Sequence, residues 1–320
     1  MKKTFALLAL LASAAASAQS SVTIFGIVDA YVGYGKGSLS KRTQLLNSGS
    51  GSSQLGFRGT EDLGGGMSAS FWLEFGVNND DGRGNPVNVN NQPNTNASLG
   101  GAQGLTFNRR STVSLAGNWG ELRLGRDYTP QFYNTNRFDP FANLGSGSSQ
   151  VASSTVGGVT AVRSSNGIGY FLPRDLGGFY GQAQYYLGEN NQTGAATDDD
   201  GTGAGVRVGY QQGPVNVALT LSRGKYAAGD VRQDSLGGQL NLNFATLTGY
   251  VNRERSGAVS GRGFLAGIMI PVGSHLLRAS YSGYKTDAVT RTTNNPQSRK
   301  LAIGYVHNLS KRTSLYTTVT

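Results

Sequence analysis

The sequence predicts an all-β protein on three observations: its composition, a two-residue hydrophobic period, and a regular alternation of short turns with long loops. Of the 320 residues, 48 are glycine and only 38% are hydrophobic. Charged residues make up 14%, where about 25% is ordinary for a soluble domain. Past the first twenty residues there is no enrichment in Ala, Leu, Glu and Lys, so a helical bundle is disfavoured.

Hydrophobic and polar residues alternate along segments of about ten residues. The sequence VNVALTLS at 215–222 places Val or Leu at every second position, with Asn, Ala, Thr and Ser between them. The same period recurs in VRVGY at 206–210 and in LAIGY at 301–305. A period of two is that of a β-strand with one apolar and one polar face.

Short turns and long loops follow one another along the chain. Tight turn signals stand at 62–66 and 212–214, whereas long polar connections lie at about 78–104, 189–202 and 285–298. A dozen or more strands cannot bury their apolar faces in one core with so few hydrophobic residues. A closed barrel turns those faces to lipid and the polar faces to a watery lumen. The sequence therefore predicts a transmembrane antiparallel β-barrel of a Gram-negative outer membrane.

Fifteen strands are recognisable, and single-chain bacterial barrels have even strand numbers. We expect sixteen strands, with the last strand missing after Thr320; a 14-stranded barrel with a frayed tail is the competing count. The predicted strands lie at about 21–34, 52–61, 67–78, 105–117, 121–128, 162–173, 179–188, 203–212, 214–225, 232–244, 246–255, 261–272, 275–286, 298–308 and 313–320.

The first eighteen residues have the pattern of a secretory signal peptide. Lys2 and Lys3 precede an apolar run at 5–12, and the small residues ASA stand at 16–18. The apolar run is shorter than the roughly 20 residues that a membrane-spanning helix needs. We therefore expect a cleaved signal peptide at 1–18 and a barrel domain at 19–320.

Several sequence blocks resemble the general-diffusion porins of β-proteobacterial type. These blocks are SVTIFGIVDA at 21–30, LGFRGTEDLGGG at 55–66, LGRDYTP at 124–130, DPF at 139–141 and LSKRT at 309–313. The resemblance runs from the signal peptide to the last residue, and the block at 55–66 is its most specific part. It implies a 16-stranded trimeric barrel whose third long loop folds into the lumen as a constriction. It also implies a C-terminal strand ending in an aromatic residue, which this sequence lacks.

The two-residue alternation of each strand identifies arginines that point into the lumen. We call the position of a residue in this alternation its strand parity. If the alternating Leu and Phe at 55 and 57 face lipid, Gln54 and Arg58 point inward; if the alternating Val and Leu at 113 and 115 face lipid, Arg110 points inward. The same alternation turns Arg123 and Arg163 inward. An arginine on the lipid face at mid-bilayer would cost about 2–4 kcal/mol.

The resemblance assigns roles to some of these positions. It implies that the basic cluster of the constriction is Arg58, Arg110 or its neighbour Arg109, and Arg163. It also implies that the acidic residue is Asp139, in the loop at about 129–162. A basic residue usually stands where this chain has Gln54, so the cluster is either weaker by one charge or rebuilt around Arg123. Individual arginines can instead pair with Glu74 or Glu121.

The predicted function is passive diffusion of ions and small hydrophilic solutes, with a modest anion preference that a basic constriction sets. The formal net charge of +10 is dispersed, so nucleic acid is not an expected partner. Expected partners are two further copies of the chain, outer-membrane lipid and lipopolysaccharide.

Neither a cofactor nor a metal is expected, since the chain has no Cys and only His275 and His307. The alternatives are an outer-membrane barrel enzyme, either a lipid hydrolase or a protease, and a plugged structural or adhesive barrel.

Overall fold

The computed structural model describes residues 21–93, 104–287 and 295–320. The predicted signal peptide at 1–18 lies outside the described residues. Eighteen strands and one helix are present in these ranges. They are β1 (Ser21–Ile27), β2 (Ala30–Lys36), β3 (Lys41–Asn47), β4 (Gln54–Gly64), β5 (Met67–Asn78), β6 (Arg83–Gly84), β7 (Arg110–Gly117), β8 (Gly120–Tyr128), α1 (Pro130–Arg137), β9 (Arg163–Phe171), β10 (Phe179–Tyr186), β11 (Gly203–Gln212), β12 (Val215–Gly224), β13 (Val231–Asn241), β14 (Thr246–Ser256), β15 (Val259–Val272), β16 (His275–Asp287), β17 (Gln297–Asn308) and β18 (Ser314–Val319).

The strands form one long antiparallel sheet in which nearly every strand pairs with its neighbours in the sequence. Its order is β1-β4-β5-β7-β8 and then β9 to β18 consecutively, and the short β6 pairs with the edge of β5. Strands β2 and β3 form a separate two-stranded sheet. All fifteen predicted strands are found, and the all-antiparallel architecture confirms the predicted fold class.

The first predicted strand, 21–34, is interrupted in the structure at Val28 and Asp29. The Asp29 carboxylate accepts hydrogen bonds from the backbone amides of Gly49, Ser50 and Gly51, at 3.2, 2.8 and 2.6 Å. These contacts separate β1, which pairs with β4, from β2, which pairs with β3. Strand β3 was not predicted, because its sequence KRTQLLN has no two-residue alternation.

Alternate side chains of each strand lie on opposite faces of the sheet, as the parity argument predicts. In β12, the outward Val217 and Leu219 are 42% and 46% exposed, whereas the intervening Asn216 and Thr220 are 5% and 0% exposed. The apolar face is therefore the outer one, and the polar face lines the interior. This arrangement is the reverse of a water-soluble sandwich.

The segment at 129–162, which contains α1, folds against the inner face of β11 to β17. Asn134 donates a hydrogen bond to the Ser235 hydroxyl at 2.9 Å, and Thr248 donates one to the Phe138 carbonyl at 2.8 Å. Farther along, the amide of Gln150 donates to the Ser282 hydroxyl at 3.1 Å. The third long connection is thus folded into the lumen, as the family resemblance implies.

A small apolar core forms between this loop and the wall. Phe138 is fully buried, and it belongs to a cluster with Val151, Val156, Ala218, Tyr250, Leu265 and Tyr284. Burying an aromatic ring of this size contributes about 2–3 kcal/mol. The core fixes the loop against one side of the barrel. The start of the loop also contacts the other side, where the Tyr133 hydroxyl lies 3.5 Å from Asp127 Oδ1.

The last strand of the sheet, β18, faces β2 of the separate two-stranded sheet across a gap. A cavity of about 670 Å³ lies between β2 and β18, and residues of both strands line it. The Tyr316 hydroxyl reaches across to the Asp29 carboxylate, and no backbone ladder joins β18 to β1 or β2 in the described residues. A further strand after Thr320 stays a prediction.

The described part of the chain has no helix that is both long and apolar enough to cross a membrane.

Candidate channel constriction

The five predicted arginines come together on the inner side of the sheet, four of them on β4, β7, β8 and β9 and Arg109 directly before β7. We call them the arginine wall: Arg58, Arg109, Arg110, Arg123 and Arg163. None of these arginines belongs to the apolar core of the 129–162 loop. Sequence parity and the resemblance together therefore locate one coherent group of side chains.

Arg58 is the most exposed member of the wall. It projects from β4 directly opposite Trp72 of β5. Its guanidinium carbon lies 5.1 Å from the centre of the Trp72 ring and 5.3 Å from that of Phe25. Among the residues that the structure describes, no carboxylate forms an ion pair with it. The two rings hold its charge in place without neutralising it.

Arg110 and Arg123 share the carboxylate of Asp127. Arg123 donates to Asp127 Oδ2 at 2.5 Å and also pairs with Glu121 Oε1 at 2.8 Å. Arg110 Nε lies 3.8 Å from Asp127 Oδ1, and its guanidinium carbon lies 4.5 Å from the centre of the Trp72 ring. The predicted pairing of an arginine with Glu121 is thus present, and part of the positive charge is compensated.

Arg109 and Arg163 meet at the phenol of Tyr128. Arg109 Nη2 donates to the Tyr128 hydroxyl at 2.7 Å, and Arg163 Nη2 donates to the same oxygen at 2.9 Å. Arg109 Nε pairs with Glu74 Oε1 at 2.5 Å, while Arg163 Nε donates to the Arg109 carbonyl at 2.9 Å. These two arginines are therefore largely occupied by the protein. Arg110 rather than Arg109 lies beside Arg58 at Trp72.

The wall carries more positive than negative charge. Its five guanidiniums face three carboxylates, those of Glu74, Glu121 and Asp127. Glu121 and Asp127 have the same strand parity as Arg123, so alternation alone could have located them on this face. The surplus charge resides chiefly on Arg58 and Arg110.

Asp139 lies inside the loop rather than on its surface, with 5% of the residue exposed. Its carboxylate accepts hydrogen bonds from the amides of Phe141 at 2.7 Å and Ser149 at 3.1 Å. Burial raises the pKa of Asp139 to about 6, against the opposing effect of these hydrogen bonds and of Lys300. The structure shows a carboxylate that holds the loop together. Its predicted part in the constriction stays a prediction.

Gln54 is half-buried at the start of β4, directly opposite Gly76 of β5. It shares strand parity with Gly56 and Arg58, which places it on the inner face. An uncharged amide therefore lies two same-face positions before Arg58 on β4.

Sequence reasoning did not select four further cations near the loop. Arg207, Arg278 and Lys300 lie on the inner face of β11, β16 and β17, and Arg137 is exposed at the end of α1. Arg207 Nε donates to Asn134 Oδ1 at 3.2 Å, and Lys300 donates to the Ser146 carbonyl at 3.0 Å. Parity could have found the three strand residues, since Val206 and Val208 bracket Arg207.

The two histidines lie together, away from the arginine wall. His275 and His307 are opposite each other on β16 and β17, with their Nδ1 atoms 2.8 Å apart. The hydroxyl of Tyr305 is 2.9 Å from His275 Nδ1. Among the residues placed in the structure, no group of three or more His, Cys, Asp or Glu is arranged to hold a metal ion.

An antiparallel sheet with an apolar outer face, a polar inner face, an inward-folded loop and a charged inner wall defines a membrane-channel β-barrel. Residues 4–320, almost the whole chain, match the model of a protein family described as Gram-negative porin. The chain therefore belongs to the Gram-negative porin family and is an outer-membrane channel protein rather than an enzyme. The resemblance seen in the sequence is confirmed.

Named relatives agree with this assignment. Outer membrane porin protein 32 of Delftia acidovorans is 38% identical over 333 residues, covering 99% of this chain and 88% of the relative. An outer membrane porin protein of Bordetella pertussis is 28% identical, covering 99% and 93%. The solved anion-selective porin from Comamonas acidovorans superposes with a TM-score of 0.79 at 36% identity, covering 93% of this chain and 87% of that one.

Proposed function

We propose that this porin passes small hydrophilic solutes and ions by passive diffusion, with a modest preference for anions. The observation that carries the proposal is Arg58, an exposed inward guanidinium held by two aromatic rings, with no carboxylate partner among the described residues. The similar porin from Comamonas acidovorans, named as anion-selective, supports the same sign of preference.

The physical basis is the field of fixed charges in a narrow passage. The loop at 129–162 fills the lumen beside β11 to β17, so permeating ions pass close to the arginine wall. Low-dielectric walls focus the field of Arg58 and Arg110 on that passage. Salt screens charges over about 8 Å at physiological ionic strength, so cations still pass and the preference is local.

Within the wall, we propose a division of roles. Arg58 and Arg110 act on permeating ions, with Gln54 as a polar neighbour, whereas Arg123 is compensated by Glu121 and Asp127. Arg109 and Arg163 fix the position of Tyr128, whose ring lies 4.7 Å from that of Phe132 in the loop. Asp139 supports the loop from within and lowers the net positive charge near Arg278 and Lys300.

The ion preference is tested in planar bilayers with purified protein under a KCl gradient. We expect discrete conductance steps. We also expect a reversal potential whose sign shows that chloride permeates more readily than potassium. Arg58→Glu should shift the reversal potential toward cations, with an anion-to-cation permeability ratio lower by about twofold to fourfold. The control is Arg312→Glu, which makes the same charge change in the exposed turn between β17 and β18 and should leave the ratio nearly unchanged. An unaltered reversal potential in Arg58→Glu would remove Arg58 from the selectivity mechanism.

We also propose that the chain assembles as a homotrimer in contact with outer-membrane lipid and lipopolysaccharide, after removal of residues 1–18. Family membership supports the trimer, and the exposed apolar outer face supports the lipid contact. Native mass spectrometry of protein extracted in mild detergent tests both the assembly and the mature N-terminus. A monomeric mass, or retention of residues 1–18, would contradict the respective proposal.

A further inference from the structure

A group of cations faces outward from the barrel, beyond the edge of the apolar band. Strand pairing places Arg253 opposite Arg262, and Arg262 opposite Lys285. On the next strand, β17, Arg299 is opposite Gly283, which lies two residues before Lys285 on β16. We call these four residues the rim cations. They lie toward the edge with the long connections, which is the outer edge if the short turns face the periplasm, as in bacterial barrels.

Apolar side chains lie directly below the rim cations on the same outer face. Val251, Phe264 and Leu301 are 56%, 39% and 57% exposed, and each precedes or follows a rim cation by two residues along its strand. The change from hydrocarbon to charge within one step of each strand marks a membrane boundary. An outward-facing arginine costs little free energy at this boundary, whereas it would be strongly destabilising near mid-bilayer.

A cavity of about 440 Å³ opens outward among three of the rim cations. Arg262, Lys285 and Arg299 line its upper part, and Val251 and Phe264 line its floor. Gly283 leaves the space open, because a Cβ at that position would lie 2.8 Å from Phe264 Cε1. The cavity therefore has a cationic end and an apolar end.

The apolar end adjoins a second groove of about 600 Å³. Its lining includes Val217, Leu236, Gly238 and Gly249, and it shares Val251 and Phe264 with the first cavity. Two glycines in adjacent strands replace the bulky side chains that cover the rest of the outer face. The two spaces adjoin at Val251 and Phe264 on the outer wall, with the charged space above and the apolar groove below.

The positive charge at this site is only partly compensated. Lys285 pairs with Asp287 at 2.9 Å, and Asp234 is opposite Arg253 in the strand register. In the described ranges, Arg253, Arg262 and Arg299 have no ion-pair partner within 4 Å. The site thus has four cations and two carboxylates, and its net positive charge favours the binding of an anionic group.

We propose that this groove binds a phosphate-bearing lipid of the outer leaflet. Its phosphate contacts Arg262, Lys285 and Arg299, with Arg253 beside them, and an acyl chain lies along the Gly238 and Gly249 groove. The cationic end of the groove attracts a phosphate, and the apolar end can hold an acyl chain. A molecule that carries both groups should therefore bind better than a free anion. The inference rests on the lipid contact proposed above and not on the ion preference of the lumen.

The test is binding of lipid A to the purified protein in detergent micelles, measured by native mass spectrometry. The triple variant Arg262→Gln, Lys285→Gln, Arg299→Gln should bind lipid A at least about tenfold more weakly than the wild type. A matched triple, Arg174→Gln, Lys311→Gln, Arg312→Gln, removes the same charge from turns at the opposite edge and should bind like the wild type. Gly238→Leu fills the apolar groove and should also weaken binding.

Three outcomes would overturn the proposal. Equal binding by the wild type and the rim triple would exclude the rim cations as the lipid site. Displacement of lipid A by an equal concentration of inorganic phosphate would show that a free anion is the ligand. A loss of oligomeric mass in the rim triple, with lipid binding unchanged, would assign this face to contact between copies of the chain. Conductance and ion preference, recorded on the same variants, should stay at wild-type values and thereby test the channel separately.

Discussion

Arg58 and Arg163 carry the same charge on the same wall, but they have different surroundings. Arg58 contacts two aromatic rings and is exposed, whereas Arg163 donates to the Arg109 carbonyl and the Tyr128 hydroxyl, both at 2.9 Å. A buried acceptor that loses its charged donor costs about 1–3 kcal/mol, whereas an exposed charge costs little to remove. Neutralising Arg163 should therefore lower the stability of the protein, whereas neutralising Arg58 should affect ion selectivity and leave the stability nearly unchanged.

This contrast predicts the effect of neutralising each residue. Arg163→Gln should lower the free energy of unfolding in lipid vesicles by about 2 kcal/mol, and Arg58→Gln should change it by less than about 0.5 kcal/mol. Urea unfolding followed by tryptophan fluorescence measures both. Equal destabilisation by the two variants would mean that the distinction between a supporting and an ion-facing arginine is wrong.

The buried carboxyl of Asp139 predicts a pH dependence. Burial raises its pKa to about 6 in the folded protein, above the usual 3.9 or so of the unfolded chain. Its contribution to stability is therefore fully present below about pH 4 and is lost as the pH rises through about 6, by on the order of 3 kcal/mol. Tyr250, Arg278 and Lys300 are the titratable or charged groups that interact with it across the loop.

Asp139→Asn removes this titration while one side-chain oxygen still accepts the Phe141 amide. The variant should lose less stability than the wild type between pH 4 and pH 7 in thermal unfolding by circular dichroism. Asp62→Asn, at the exposed end of β4, is the control and should follow the wild-type profile. A wild-type profile in Asp139→Asn as well would show that Asp139 ionises freely in the folded protein.

At the residue scale, parity predicted orientation well and partners poorly. Arg58, Arg110, Arg123 and Arg163 are on the inner face as predicted, because lipid forces the alternation of each strand. Arg109 directly precedes β7, and alternation does not account for its place in the arginine wall. The pairing of Arg110 and Arg123 with Asp127 depends on the twist and register of neighbouring strands, which one sequence does not encode visibly. The burial of Asp139 depends on how the loop closes on itself.

At the scale of elements, the packing of the 129–162 loop determines the shape of the lumen. Phe138, fully buried, lies on Gly237 of β13. A Cβ added at Gly237 would come 2.3 Å from Phe138 Cδ2. A Cβ added at the next residue, Gly238, points outward and meets its nearest neighbour at an ordinary 3.5 Å. Adjacent glycines therefore give a matched pair of substitutions.

Gly237→Ala should displace Phe138 and loosen the loop, because overpacking of this kind costs about 1–3 kcal/mol. We expect chymotrypsin to cleave within 129–162 about tenfold faster than in the wild type. Gly238→Ala should be cleaved at the wild-type rate. Equal cleavage of the two variants would contradict the assignment of Phe138 as the anchor of the loop.

The strands themselves could be predicted because each crosses the same membrane and repeats the same two-residue period. The break at Asp29 and the strand β3 could not, because they depend on a carboxylate capping three distant amides rather than on alternation. The loop helix α1 could not be predicted for a similar reason. Its sequence PQFYNTNR is mostly polar, and wall contacts such as that of Asn134 with Ser235 hold it in place.

For the molecule as a whole, the exposed apolar face requires a lipid environment. Leu219 is 46% exposed on the outer face of β12, between Val217 and Leu221. Leu219→Arg should lower the free energy of unfolding in vesicles by about 2–4 kcal/mol, the cost of an arginine on the lipid face. Leu39→Arg makes the same change in an exposed turn and should have little effect. If both substitutions were neutral, the outer face would not contact hydrocarbon.

The central claim is that polar side chains line a water-filled lumen and apolar ones face lipid, and cysteine accessibility tests it most directly. The chain contains no cysteine, so single substitutions report without background. In planar bilayers, a negatively charged methanethiosulfonate reagent should modify Arg58→Cys and reduce its conductance, while Leu219→Cys in the same bilayers stays unmodified. Modification of Leu219→Cys together with an inert Arg58→Cys would contradict this account.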